Sequence, residues 1–286
     1  MAHGLALLRE KSMRLRLALG VLTGLLCLVN SHAQQAVSKE AGSAQVSSPL
    51  RLKIKRMSEV VNTIAGYADL ETRARQSLGI SEAAIYRMVA GALDVRHSEG
   101  GLIIDVGCGT GLLRPFLVGR FDRYIGVDAV RYEDFPRDAE FRRVDLDTGQ
   151  VPLETDSADV VASVETIEHL ENPRAFMREL VRLVRPGGWV VITTPNQLSF
   201  LSLLTLILKR QFNAFQDIHY PAHLTALLEV DLNRIAAECG LTDVCISYSL
   251  EGRLVFTPWH YPNFLSSLFP RALSDNLLLI GRKKGG

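Results

Sequence analysis

Cysteine is scarce in this 286-residue chain, with four scattered at Cys27, Cys108, Cys239 and Cys245 and no CxxC pair among them. That spacing excludes a disulfide framework and a zinc pattern, and it reads as ordinary reduced, mostly buried thiols. A large excess of charge is also missing, since the net charge is +1. The balance hides an asymmetry: residues 1–56 hold nine Lys/Arg against two acids, leaving 23 basic and 29 acidic residues beyond. A mildly acidic body gives no support to a phosphate-backbone partner. No internal repeat is visible, and no apolar run is long enough for a comfortable membrane span. What the chain does have is an ordinary globular composition, 47% apolar and 22% charged, which argues against wholesale disorder and predicts one α/β domain plus trimmings.

The amino-terminal segment has its own pattern. Arg9, Lys11, Arg14 and Arg16 precede the uncharged run Leu17 to Val29, and Ser31-His32-Ala33 follows. A basic region, a short apolar region and a small-x-Ala site make residues 1–33 a secretory or targeting signal by pattern. Two alternatives stay open: an uncleaved membrane-surface anchor, or translation that begins downstream at Met13 or Met57. Residues 34–56 begin as a Ser/Ala/Gln-rich stretch and read as a linker, leaving 57–286 as the domain.

Between Met57 and Arg96 apolar positions recur at helical spacing, which predicts two or three helices. The pattern then changes. "GLIIDVG", "YIGVDAV", "ADVVASV" and "WVVITTP" are short, continuous, β-branched runs, as expected of strands buried on both faces of a parallel sheet. Helical stretches alternate with them. The clearest runs from Asn172, a good N-cap, through Pro173 at the first helical position to Arg185, and Pro186-Gly187-Gly188 should end it. A further helix is expected over about 227–239, and strands near 242–249 and 276–281. The predicted fold is a doubly wound, mostly parallel, seven-stranded Rossmann-like sheet with N-terminal helices and an apolar lid insertion.

Strand one runs into "DVGCGTG". Gly107, Gly109 and Gly111 sit where the chain should turn into a helix beginning near Thr110 to Leu112. Glycine permits the tight turn and lets a ligand approach the backbone itself. A dinucleotide fingerprint needs its third glycine where Leu112 stands, so no pyrophosphate site is spelled out. An uncharged or zwitterionic nucleoside fits better.

Asp105-Val106-Gly107-Cys108-Gly109-Thr110-Gly111 resembles motif I of class I S-adenosylmethionine-dependent methyltransferases. The resemblance runs from about 80 to 284 and is clearest over 101–196. It implies S-adenosylmethionine as donor, bound by Asp105, Gly107, Cys108, Gly109, Gly111, Asp128 and Asp145. Asp128 ends "YIGVDAV" 21 residues after Gly107, where the family's acid accepts hydrogen bonds from both ribose hydroxyls. Asp145 in "FRRVDLD" stands where the family reads the adenine amino group, with Asp147 as competitor. Asp105 faces the methionine amino group in the family, and burial without that partner would be costly.

"SVETIEHLENP" resembles the segment after strand four in small-molecule methyltransferases of the type 11 kind. His169 suits the general base for an acceptor hydroxyl, with Glu165 beside it as a second catalytic candidate. Alternatively Glu165, Glu168 and His169, with His223 or His219, could hold a divalent ion, since ExxEH with a distant His resembles the metal site of some RNA-end and quinone-pathway methyltransferases. A metal is not predicted. In the bland reading Glu165 lines the pocket while Glu168 and His169 cap the next helix. "HLTALLEVDLNRIAAECGL" resembles a segment of methyltransferases in cell-surface glycan and lipid pathways, which favours His223 over His219.

Two apolar inserts, about 197–222 and 252–272, read as a substrate lid and a second covering segment. Together they predict a small, hydrophobic or lipid-linked acceptor with peripheral membrane contact; the resemblance of the 223–241 segment implies a lipid or glycan pathway, and the acidic body predicts no nucleic acid partner. The competing class is a non-catalytic S-adenosylmethionine-binding or membrane-associated scaffold protein. Because that donor is an intracellular metabolite, the domain is expected in the cytoplasm or on the cytoplasmic face of a membrane, with export through the leader as the alternative.

Overall fold

The structure is a computed structural model that describes residues 71–285, apart from 72, 73, 98, 99 and 256. The leader 1–33, the linker 34–56 and part of the first helical stretch lie outside the described residues. The described residues form a seven-stranded sheet in the order β3-β2-β1-β4-β5-β7-β6. Its strands are β1 (Leu102–Val106), β2 (Arg123–Asp128), β3 (Glu140–Arg143), β4 (Ala158–Ser163), β5 (Val184–Pro195), β6 (Leu241–Tyr248) and β7 (Asn276–Lys283). Strands β1 to β5 run parallel, and β7 lies antiparallel to both β5 and β6. The chain winds outward from β1 through β2 to β3, then returns to place β4 on the other flank of β1. Ligands bind at such a reversal, beyond the carboxyl ends of the strands.

Continuous apolarity in the strands has the reason expected of it: each face is covered. Ile104, Val161 and Ile192 point into one layer with Phe176, Met177, Leu180 and Leu183 of α2 (Pro173–Leu183) and Leu232 and Ile235 of α4 (Glu229–Glu238). Their neighbours Ile103, Val160 and Val191 point to the opposite layer, against Ile85, Val89 and Leu93 of α1 (Ala83–Asp94). Each fully buried side chain of this size contributes about 1.5–3 kcal/mol. The Asn172 side chain caps α2 by accepting from Ala175 N at 3.0 Å, and Pro173 fills the first position, as the sequence predicts.

Of the helices predicted between 57 and 96, the structure describes α1 and a helical turn at 74–76, and the rest of that stretch lies outside the described residues. Two expectations change. Helix α2 stops at Leu183, and Val184 already pairs with Ala158, so Pro186-Gly187-Gly188 lies inside β5 rather than ending the helix. Finally, no α-helix follows the glycine loop. Residues Arg114–Leu117 form one 3-10 turn instead, because Pro115 has no N–H to donate and its ring clashes with the preceding turn. The lid helix is present as α3 (Phe200–Lys209), capped by Ser199, and the second insert carries the short α5 (Asn263–Leu268). No helix among the described residues is long and apolar enough to cross a membrane.

Candidate active site

The carboxyl ends of β1, β2 and β4 open into a cavity of about 480 Å³, within the usual range for a small-molecule site. One end is made of backbone. Gly107, Gly109 and Gly111 have φ of 78°, 50° and 79°, a left-handed run that only glycine adopts cheaply. Their lost side chains also make room for the protein itself. A Cβ on Gly107 would stand 2.1 Å from Thr166 Oγ1, and one on Gly109 2.2 Å from the Gly79 carbonyl oxygen. The loop is thus wedged between the turn after β4 and the segment before α1, where Thr110 N donates to Gly79 O at 3.0 Å.

Two carboxylates fix this end. Asp128 Oδ2 accepts from Gly109 N at 2.8 Å and Oδ1 from Val130 N at 3.2 Å, so the acid that ends β2 holds the glycine loop in place. Burial raises its pKa, and the backbone N–H groups oppose that rise. Asp105, 1% exposed, accepts from the Tyr124 hydroxyl at 2.5 Å, and burial pushes its pKa up to about 7 despite that bond. The donor set suits a zwitterionic nucleoside: an acid for a ribose diol, an acid for an ammonium, and Ala129 and Leu146 as apolar wall. Asp105, Gly107, Cys108, Gly109 and Asp128 all line the cavity, while Gly111 and Asp145 do not. Gly111 packs against Pro136 and Phe135, and Asp145 closes its own turn, accepting from Asp147 N at 3.0 Å and Thr148 Oγ1 at 2.6 Å.

The other end is made of side chains from distant segments. After β4 the chain bends sharply: Glu165 takes φ +48° and its N–H donates to Thr193 Oγ1, and Ile167–His169 forms a 3-10 turn. A non-glycine residue there costs about 1–2 kcal/mol, and such strain gathers at functional sites. Glu165 Oε2 accepts from Asn276 Nδ2 at 2.8 Å, and Glu168 Oε2 accepts from Thr194 Oγ1 at 3.2 Å. Both Oε1 atoms are shielded from solvent and have no hydrogen-bond partner. Burial raises both pKa values, and the Glu168 charge pushes Glu165 further, so the pair retains a proton at neutral pH. The Glu168 carbonyl accepts from Leu224 N and Thr225 N, which draws the 219–225 segment alongside.

That link assembles the histidines. The His169 and His223 rings meet edge to face at 4.7 Å, and His219 stacks on His223 at 5.6 Å. His169 Nδ1 donates to the Ala222 carbonyl at 2.8 Å and His223 Nδ1 to the Ala214 carbonyl at 2.6 Å, so in each neutral ring the lone pair sits on Nε2. Burial, with His169 nearby, drives the His223 pKa down to about 4. Ligand atoms of Glu168, His169 and His223 all lie within 4.8 Å of one another, a group that could hold a divalent cation. Helix α2 is capped by Asn172 rather than by Glu168 or His169, which answers the bland reading of those two residues.

The structure thus brings Glu165, Glu168, His169, His219 and His223 together at one end of the cavity. Sequence reasoning missed Tyr124, Tyr86, Asn276 and Arg253. Tyr124 stands on the same strand as Asp128 and reaches Asp105 on the neighbouring strand, whereas Tyr86, Asn276 and Arg253 come from α1, β7 and the second insert with no local signal to mark them.

The family described as "Methyltransferase domain" matches residues 82–246. A probable S-adenosylmethionine-dependent methyltransferase of Mycolicibacterium smegmatis is 33% identical over 134 residues, covering 44% of this chain and 49% of that protein. A ubiquinone biosynthesis O-methyltransferase of Maricaulis maris is 31% identical over 151 residues, covering 47% and 59%. The chain spans about half the length of the curated relatives it matches. The solved structure of a S-adenosylmethionine-dependent methyltransferase from Archaeoglobus fulgidus aligns with a TM-score of 0.50 at 19% identity, over 69% of this chain and 94% of that one, a likeness of fold.

Proposed function

Because this chain belongs to the class I S-adenosylmethionine-dependent methyltransferase family, we propose that it transfers a methyl group from S-adenosylmethionine to an oxygen, nitrogen or carbon nucleophile on a small, apolar acceptor of lipid or glycan metabolism. The observation that carries this reading is one continuous cavity with a backbone-built donor end and an acid–histidine acceptor end. Apolar inserts flank the acceptor end, in keeping with an apolar acceptor. The domain acts, on this reading, on the cytoplasmic side, where the donor is available.

When bound, S-adenosylmethionine supplies a methyl group on a sulfonium that is its own leaving group. Alignment and exclusion of water are then the protein's main tasks. Asp128 and the glycine loop orient the nucleoside, and Asp105 faces the ammonium. His169, held in its Nδ1–H tautomer by the Ala222 carbonyl, takes the acceptor's proton on Nε2. The buried Glu165 and Glu168, each pushed towards its protonated form by burial, offer unpaired Oε1 atoms to the polar head of the acceptor.

The test is incubation of the full chain with methyl-labelled donor and a solvent extract of the source cells. Label should enter an organic-extractable product. His169→Ala should lower turnover about 100- to 1000-fold while calorimetric donor affinity stays unchanged. Donor binding with no labelled product in any fraction would favour the scaffold reading. Undiminished turnover in the variant would remove His169 as base.

A further inference from the structure

Ten of the sixteen exposed large apolar side chains among the described residues fall in the two inserts, 197–222 and 252–272. Five of them, Ile207, Leu208, Ile218, Tyr220 and Trp259, are tied to segments that line the cavity. His219 and Arg253 line the cavity. Ile218 and Tyr220, 80% and 69% exposed, flank His219 in sequence. Trp259, 70% exposed, is tied to the Arg253 strand by the Leu254 N to Trp259 O hydrogen bond at 2.8 Å and the Arg253–His260 bridge. The carboxyl end of α3 carries Ile207 and Leu208, 77% and 65% exposed, and is fastened to the same segment by Lys209 Nζ donating to Gln216 Oε1. Phe200 N donates to Ala272 O, which sets the start of α3 beside the end of the second insert.

We propose that this apolar rim is a docking surface for an anionic lipid bilayer, so that the mouth of the cavity opens onto the membrane and the acceptor enters from it. The proposal rests on the acceptor reading above and deepens it. Charge selects a bilayer over another occupant: the apolar tip of α3 runs directly into Lys209, which donates to the neutral Gln216, and Arg210, which has no ion-pair partner among the described residues. Apolar side chains followed at once by unneutralised cations suit an interface of acyl chains beneath anionic headgroups. The segment 74–77 borders the same mouth: Ala74 and Ser77 line the cavity, and Gln76 Nε2 donates to the Tyr220 carbonyl at 3.4 Å.

The experiment uses the full chain with phosphatidylcholine vesicles, with and without phosphatidylglycerol. It reads co-flotation, and it reads quenching of tryptophan emission by bromine-labelled acyl chains. Trp259 should be quenched on anionic vesicles, and the quenching should vanish in Trp259→Phe while flotation persists. Ile207→Asp with Leu208→Asp should weaken flotation at least about tenfold, since two apolar anchors are lost, and Lys209→Glu with Arg210→Glu should weaken it on anionic vesicles specifically. Flotation without Trp259 quenching would overturn the proposal, because the leader alone would then carry binding. So would a concentration-dependent dimer that buries Trp259 without vesicles, which would give the rim to a second copy. Donor titration on the same samples separates the two readings. Donor binding without docking defeats only this inference, and docking without donor binding defeats only the enzymatic one.

Discussion

The two ends of the cavity are built on opposite principles. The donor end comes mainly from one stretch, Asp105 to Val130, with Leu146 as wall, and its polar groups close on one another: Asp128 on the N–H groups of Gly109 and Val130, Asp105 on the Tyr124 hydroxyl. The acceptor end is assembled from 165–169, 213–223, 253 and 275–276, and it keeps unspent capacity in Glu165 Oε1, Glu168 Oε1 and His219 Nδ1. Each unsatisfied buried group costs about 1–3 kcal/mol, so a fold retains three together where a ligand will satisfy them. A closed network fixes one ligand in advance. An open one leaves the choice of ligand to whatever completes it.

The contrast is sharpest where the two ends touch, at Gly107. Gly107→Ala would drive a methyl into Thr166 Oγ1, Cγ2 and Cβ at 2.1, 2.5 and 2.8 Å, on a backbone with φ of 78°. Overpacking and left-handed strain together predict a loss of about 3 kcal/mol, a fall in Tm of roughly 6–12 °C, and loss of donor binding. Because Thr166 belongs to the turn carrying Glu165 and His169, acceptor turnover should collapse too. If Tm and donor affinity were both unchanged, the loop would not be wedged against that turn, and the division into two ends would lose its hinge.

This difference also explains what could be read in advance. Motif I and Asp128 were legible because a strand, three left-handed glycines and an acid at the next strand end are all local demands on the chain. Asn172 and Pro173 at the start of α2 were legible for the same reason. The helix expected after Gly111 is replaced by one 3-10 turn at Arg114–Leu117, where Pro115 has no N–H to give to a longer helix. His223 beside His169 depends on the Glu168 carbonyl binding Leu224 and Thr225, a tertiary event with no sequence period. Asn276 reaches Glu165 across 111 positions, and nothing local announces it.

A second prediction probes the donor end by pH. Asp105 holds its proton up to about 7, so it is largely neutral at pH 6 and a carboxylate at pH 8. An ammonium on the donor is attracted only by the carboxylate. Calorimetry should therefore show donor affinity rising by up to about tenfold from pH 6 to 8, a dependence that Asp105→Asn flattens. Stability runs the other way. The folded group binds its proton more tightly than the unfolded one, so stability is fully present below the ordinary carboxylate range and is lost as pH rises through about 7. Asp105→Asn should escape that loss. An affinity that does not change with pH in the native chain would mean that Asp105 serves Tyr124 and not the donor.

The smallest effect is expected at Asp145, and it tests where the resemblance and the geometry part. The resemblance gives this acid the adenine amino group. In the structure both of its carboxylate oxygens are occupied by its own turn, through Asp147 N and Thr148 Oγ1, and Leu146 lines the cavity in its stead. Gly149 N closes the same turn onto the Asp145 carbonyl at 2.7 Å, and that bond survives loss of the side chain. Asp145→Ala should therefore change donor affinity by less than about twofold and Tm by roughly 1–4 °C, the worth of one modest turn contact. Leu146→Ala, by removing the apolar wall against which a base would lie, should weaken the donor more than Asp145→Ala does. The reverse order, with Asp145→Ala costing tenfold or more, would mean that the carboxylate leaves Thr148 when the donor enters. The donor end would then share the open character of its neighbour, and the two ends would differ in degree only.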